Sequence, residues 1–421
     1  MLQLLNASVF PAAVFQLDNG LTFIHQHLPA TPVVATDVWL SAGAMREPEE
    51  WSGMAHFLEH MIFKGTQELP PGLFDREIEN RGGLTNAATS HDYAHYFLTT
   101  AAPYLKDTLP YLAELLLNAA IPEDEFIRER EVVLEEIRSC YDDPDWIGFQ
   151  ALSQSVYQHH PYGRCVLGTQ SDLMQHSPEA MRNFHRAHYQ PENMTVVIVG
   201  GIEQESALEL VSQNFRQFAK REHLPPIEEM GEPLIAGIRR QELYLPRLEQ
   251  ARLLMAWIGP GVEYYRSAYG LDLLCVILAE GRSSRLVREL REDQQLVQAI
   301  SSNFSLQRES SLFTIRAWLE PQYLERVESL ICAHLEELQT TPISSAELSR
   351  CQRLLCNDYA FSTETPTQLA GLYGYYNTLA KAQLAVSYPQ QIQSFDPQQL
   401  QQLAQEYLSP YSYAVCVLKP C

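Results

Sequence analysis

The chain is predicted to be α+β, built as two homologous α/β-sandwich-like domains, each a mostly antiparallel sheet with helices packed on one face and the two joined by a linker. Three observations predict this. The 421 residues exceed one core of ordinary size; at roughly 150 residues per domain they imply two or three. Strand-like apolar runs are mixed with long helical stretches in a single order. One plan is also written twice: VVATDVWLSAGAMRE (33–47) is an apolar strand reaching Gly43, and QARLLMAWIGPGVEYY (250–265) is a similar strand reaching Gly261, with Trp39 and Trp257 in step.

In each copy a Gly (Gly53, Gly270) and an amphipathic helix follow that strand. GLTFIHQH (20–27) and DYAHYFLTTA (92–101) read as strands, and PYLKDTLPYLAELLLNA (103–119) as a helix. The first half ends on the strand MTVVIVGG (194–201), the second on YSYAVCVLKP (411–420). Between them AKREHLPPIEEMGEPLIAG is rich in Pro, Glu and Gly and lacks periodicity, so it reads as a linker. The expected division is therefore 1–218, linker 219–238, and 239–421.

Composition removes several functions. With 30 Lys and Arg against 52 Asp and Glu, the formal net charge is −22, which repels phosphate backbones and argues against nucleic acid as a partner. No run of 18 apolar residues occurs, so no membrane span is expected. The opening MLQLLNASVFPAAVFQLDNG lacks a basic n-region and a compact apolar core, and reads as no signal peptide. Eight cysteines without a CxxC pair fit reduced thiols, and the expected location is cytoplasmic.

The segment SGMAHFLEHMIFKGT carries the chemistry. Ser52 is the expected N-cap and Gly65 the expected end of a helix. His56 and His60 are four apart, hence one turn apart on one face, a spacing that can grip one zinc ion. Glu59 is badly placed to ligate that ion but well placed to touch a water beside it; this is the inverted H-x-x-E-H order. A catalytic zinc needs a third protein ligand, and the helix IPEDEFIREREVVLEEIRSC, begun by Pro122, offers Glu129, Glu135 and Glu136. Its apolar stripe is Phe126, Ile127, Val133, Leu134 and Ile137. Glu129 and Glu136 are seven apart and share a face. Glu135 sits about 100° from Glu136, and Glu136 is preferred, though periodicity alone does not decide between them.

Two His and a Glu on an amphipathic helix also fit a solvated face. The neighbours argue otherwise: Met54, Phe57, Leu58, Met61, Ile62 and Phe63 make the helix apolar on all sides, and ionisable groups buried together need a partner such as a metal. The second copy is an internal control. Aligning Gly53 with Gly270 sets His56, Glu59 and His60 opposite Leu273, Val276 and Ile277, so the polar triplet is not a requirement of the fold. Two other pairs carry a structural reading: His91 and His95 lie on a strand pattern, and His159 and His160 precede the turn Pro161-Tyr162-Gly163.

HFLEH, EREVVLEE, NMTVVIVG and GRSSRLVRELRE together resemble the pitrilysin-type zinc peptidases, in particular the small subfamily of mitochondrial processing peptidase and bacterial processing proteases. The resemblance runs from Phe15 to Leu418. It implies one Zn2+ per chain held by His56, His60 and Glu136, Glu59 as general base, and Glu129 supporting the site. It also implies that Gly82, Gly83, Asn86 and Ala87 belong to a segment whose edge strand pairs with an extended peptide in a closed chamber, a mode with loose sequence preference. Family members working unaided carry an Arg and, seven residues on, a Tyr that hold substrate; here Arg291 is present but Gln298 takes the Tyr position. The expected function is a zinc endopeptidase acting on unfolded peptides or presequences. It would work as a dimer, with an inactive homologous subunit supplying Arg and Tyr or with a second copy. The alternative is a non-catalytic assembly subunit of the same family.

Overall fold

A computed structural model describes residues 10–224 and 231–421. Residues 225–230 of the expected linker, and the first nine of the segment read for a signal peptide, lie outside the described residues. Chain contacts divide the molecule into two compact units. The first comprises Met1–Arg138, Arg164–Glu228 and Phe361–Ser387, the second Ser139–Gly163, Glu229–Ala360 and Tyr388–Cys421.

Among the described residues the first unit is built on six strands: β1 (Ala13–Gln16), β2 (Thr22–His27), β3 (Val33–Leu40), β4 (Leu84–Thr89), β5 (Ala94–Ala101) and β6 (Met194–Gly200). Their order is β1-β2-β6-β3-β5-β4, and only β2 and β6 pair in parallel. The second unit has β7 (Ile238–Leu245), β8 (Ala251–Pro260), β9 (Val297–Leu306), β10 (Ser310–Leu319) and β11 (Tyr413–Pro420), ordered β7-β11-β8-β10-β9 with β7 and β11 parallel. Reading β2-β6-β3-β5-β4 against β7-β11-β8-β10-β9 gives the same path twice, so the repeat seen in the sequence is a repeat of topology.

The repeat is looser at single residues. Gly53 stands before its helix at φ +85, a left-handed conformation that favours glycine. Gly270 lies inside the Tyr265–Ala279 helix.

Successive strand side chains point to opposite faces. In the first sheet Val34, Val38 and Leu40 join Tyr96, Leu98, Val196 and Ile198 in a core closed by Phe57, Met61, Leu109, Phe126 and Phe184 from the helices. Trp39 and Asp37 point the other way. That face is covered by the Pro366–Leu379 helix, a segment from far along the chain: Asn377 Nδ2 donates to Thr195 Oγ1 at 2.9 Å and Tyr373 donates to Gln26 Oε1 at 2.7 Å. Gly374 lets it lie this close, since a Cβ there would stand 2.1 Å from Trp39 Nε1. The second sheet is treated alike by the Pro144–Val156 helix, whose Gly148 faces Leu254 and Leu418. The expected one-face packing therefore describes the helices that follow each strand, while one further helix covers each remaining face. Apolar periodicity could not place those two helices, because their partner sheets are distant in sequence. No helix of the described residues is long and apolar enough to cross a membrane.

Candidate metal centre

The motif residues lie on the Met54–Ile62 helix, which presents Met54, Ala55, Phe57, Leu58, Met61 and Ile62 to the core. Its N-cap is Gly53, without a capping side chain of its own, in place of the expected Ser52. The exposed N–H groups of the first turn are answered from upstream: Glu47 accepts from Gly53 N at 2.9 Å and from Ala55 N at 2.7 Å. A carboxylate suits the positive end of a helix, but Glu47 is fully buried, and burial pushes its pKa up to about 8 despite these bonds and nearby Arg164. Sequence reading missed Glu47; an acidic residue shortly before a helix was the available signal.

The second helix, Glu123–Cys140, buries Phe126, Val133, Leu134 and Ile137. Ile127, expected in that stripe, is half exposed. Phe126 packs on Phe57 with ring centroids 4.7 Å apart, which clamps the two helices together. The carboxylates on this helix then divide by direction. Glu136 faces the histidines: its Oε2 is 3.6 Å from His56 Nε2 and 3.4 Å from His60 Nε2. Glu135 points to water and pairs with Arg138 at 2.9 Å. Glu129, one turn pair earlier, receives a bond from His60 Nδ1 at 2.9 Å and pairs through its other oxygen with Lys64 at 2.6 Å. Lys64 carried no sequence signal beyond its place four residues after His60.

One ligand atom from each of His56, His60 and Glu136 lies within 4.8 Å of the other two. Ligands about 2.0–2.2 Å from a common ion in a tetrahedral set stand about 3.3–3.6 Å apart, and the two His–Glu separations, 3.6 and 3.4 Å, fall in that interval. The donor set of two imidazoles and a carboxylate is one that zinc accepts. The bond to Glu129 leaves His60 Nε2 as the atom directed at the cluster, the usual way a carboxylate orients a ligating imidazole. His56 has no such support, since among the described residues its buried Nδ1 has no hydrogen-bond partner.

The electrostatics follow from burial and pairing. Burial, then the neighbouring His60, lower His56 to about 4. Burial also opposes a charge on His60, but its bonds to Glu129 and Glu136 outweigh it and raise the group to about 9. Burial likewise raises Glu59, against a bond from Thr89 Oγ1 to Glu59 Oε2 at 2.6 Å. Thr89 is the last residue of β4 and sits thirty positions from Glu59, so no local pattern reveals the pair.

Among the described residues β4 is the outer strand of its sheet and pairs only with β5. Leu84, Asn86 and Ala88 point to solvent while Thr85, Ala87 and Thr89 turn inward. Gly82 takes φ +65 just before this strand, and Gly83 is buried beside Ile78. Asn86 Oδ1 accepts from Ala87 N at 2.9 Å. Arg291 belongs to the second unit, where it lies in a π-helical turn (Val287–Asp293) and pairs with Glu292 at 2.6 Å. Gln298 is exposed near the start of β9. Three histidines of the other pairs are held in structural contacts: His95 stacks on Trp39 with centroids 4.3 Å apart, His91 bonds to Arg164 O, and His160 bonds to Glu309 at 2.9 Å beside the turn Pro161–Gly163.

Known proteins share both sequence and fold with this chain. A family model described as Insulinase (Peptidase family M16) matches residues 22–170, and one described as Peptidase M16 inactive domain matches 176–355. The zinc protease PqqE of Helicobacter pylori is 31% identical over 408 residues, covering 96% of this chain and 92% of that protein. The uncharacterized zinc protease YmxG of Bacillus subtilis is 28% identical, covering 83% and 84%. Among solved structures, a protease from Helicobacter pylori superposes with a TM-score of 0.92 at 29% identity, covering 97% of this chain and 99% of that one. Pitrilysin, at 17% identity and a TM-score of 0.81, shares the fold over 45% of its own length. The insulinase-type match encloses the whole His-His-Glu cluster and Glu59, and the chain belongs to peptidase family M16.

Proposed function

We propose that this chain is a zinc-dependent endopeptidase that hydrolyses unfolded peptides or presequences. The observation that carries the reading is the convergence of His56, His60 and Glu136 beside the carboxylate of Glu59. The names of the relatives, zinc proteases, support it. His56, His60 and Glu136 would hold the ion, one per chain, with Glu129 fixing the His60 ring. A zinc ion so held supplies Lewis acidity that makes water a nucleophile near neutral pH.

The remaining work falls to the protein. Glu59 takes the proton of the attacking water and delivers it to the leaving amine. Its burial favours both halves of that task, because a raised pKa makes the carboxylate a better base and its acid form easier to keep. The free edge of β4 would bind an extended peptide as an added strand, with Gly83 opening the edge and Asn86 and Ala87 along it. Main-chain bonding of this kind selects extended conformation over sequence, hence unfolded substrates.

A dimer is part of the proposal. Arg291 is present and Gln298 replaces the expected Tyr, which favours an inactive homologous subunit that carries both residues over a second copy of this chain. The test is a pair of variants. Glu59→Gln should keep zinc and lose peptide hydrolysis, and His60→Ala should lose both. Full hydrolysis by Glu59→Gln would reject the assigned base, and zinc-free wild-type protein would favour the non-catalytic assembly subunit.

A further inference from the structure

We infer that Thr89 is a positioning residue for the general base, so that the strand offered to substrate also aims the catalytic carboxylate; this rests on the reading of Glu59 given above. The geometry is specific. Thr89 closes β4, and its hydroxyl donates to Glu59 Oε2 at 2.6 Å, a short charge-assisted bond. Glu59 is carried by the motif helix, whose backbone is fixed at its start by Glu47 and along its flank by Phe57 on Phe126. Its side chain is not fixed by these contacts. A glutamate has three rotatable bonds, and the adjacent His60 is held by two carboxylates of a different helix, neither of which touches Glu59 by a hydrogen bond. Thr89 supplies the restraint that the helix does not.

The choice of side chain fits the task. A Lys or Arg would neutralise the base, whereas a hydroxyl can hold one carboxylate oxygen and leave the other free for water. Thr89 is also well anchored. It lies opposite Ala94 of β5, and Ala94 is buried in the main core. A branched side chain on a paired strand has few rotamers, so its hydroxyl direction is set by the sheet. Glu59 is thereby referenced to β4 as well as to its own helix, and β4 is the strand whose outer edge is unpaired among the described residues.

The experiment compares Thr89→Val, nearly isosteric but without the hydroxyl, with Thr89→Ser. Thr89→Val should lower kcat about 10- to 100-fold, the range expected when one hydrogen bond to a charged group is lost. KM and the zinc dissociation constant should stay within about twofold, since the residue touches neither ligand nor ion. Thr89→Ser should recover most of the rate. Crystal structures of the metal-free proteins give a readout independent of activity: Glu59 should hold one rotamer in the wild type and Thr89→Ser, and spread over several in Thr89→Val. Unchanged kcat in Thr89→Val, an equal loss in Thr89→Ser, or a single unmoved Glu59 rotamer in all three would each overturn the inference. A fall in zinc affinity or melting temperature that accounts for the lost rate would overturn it too, by making Thr89 merely structural. A wild-type chain without peptidase activity would instead count against the function proposed above, and the Glu59 rotamer would still decide the positioning.

Discussion

Replacing Glu129 by Ala removes the hydrogen-bond partner of His60 Nδ1, a contact of 2.9 Å, without touching an expected ligand atom. Two effects then act on metal binding, and both weaken it. The imidazole loses the restraint that aims Nε2, and the negative charge beside it disappears. Carboxylates in this position are typically worth 10- to 100-fold in metal affinity, about 1.4–2.7 kcal/mol. A third effect could add to the loss, because Lys64 loses its ion-pair partner. Its side chain is 28% exposed, so the ammonium can turn to water, and the penalty stays small. Glu129→Ala should therefore weaken zinc binding about 10- to 100-fold. Glu129→Gln, which keeps an acceptor, should lose less, and Glu136→Ala, which removes a proposed ligand, should lose more. The assay is competition with a chelator of known affinity at fixed pH and ionic strength. An unchanged affinity in Glu129→Ala would refute the orienting role. A loss equal to that of Glu136→Ala would place Glu129 among the ligands.

Other outcomes follow from the same geometry. Gly374→Ala gains about 1 kcal/mol of helix propensity but sets a Cβ 2.1 Å from Trp39 Nε1, and overpacking of that kind costs about 1–3 kcal/mol; the melting temperature should fall, and an unchanged value would show that the helix can move away. Glu47 is pushed up to about 8 and Asp37 to about 7, both by burial, so each holds its proton more tightly folded than unfolded. Their stabilising contribution is full below the ordinary carboxylate pKa and is lost as pH rises through about 7–8. The metal-free chain should lose stability across that interval. Glu47→Gln, which keeps one of the two acceptor oxygens, should lower stability below that interval and flatten the slope across it, and an undiminished slope would contradict the assignment. If Gln298 marks a missing substrate contact, the purified chain should cleave peptides slowly alone. Gln298→Tyr should then raise its rate about tenfold, the value of one hydrogen bond of about 1.4 kcal/mol; full activity of the unmodified lone chain would remove the need for a partner.

Much of the fold could be read locally. The strands β2, β3, β5, β6, β8 and β11 each fall within an apolar run recognised in the sequence, and the duplicated plan was visible because Trp39 and Trp257 recur after similar runs. The helices over Pro366–Leu379 and Pro144–Val156 have ordinary local signals, such as Thr365 and Asp143 at their N-caps, but what they cover is set by contacts that periodicity does not encode. The same division holds at the site. His56, Glu59 and His60 declare themselves by spacing along one helix. Glu136 is separated from Glu135 only by the rotation of a second helix, which the Phe57–Phe126 packing fixes. Lys64 and Thr89 were invisible for a related reason. Each acts through one bond to a carboxylate whose direction depends on tertiary packing, and common residue types in common places leave no pattern. Glu47 left only a weak signal, an acidic residue shortly before a helix, and its two bonds to the helix start emerge only in the fold.

The central claim is that one ion is gripped by His56, His60 and Glu136. An anomalous-difference map collected on either side of the zinc absorption edge, from crystals of the wild-type chain grown with zinc, tests it most directly. The account predicts a single strong peak at about 2.0–2.2 Å from His56 Nε2, His60 Nε2 and a Glu136 oxygen. No peak there, or a peak held by other residues, would contradict it.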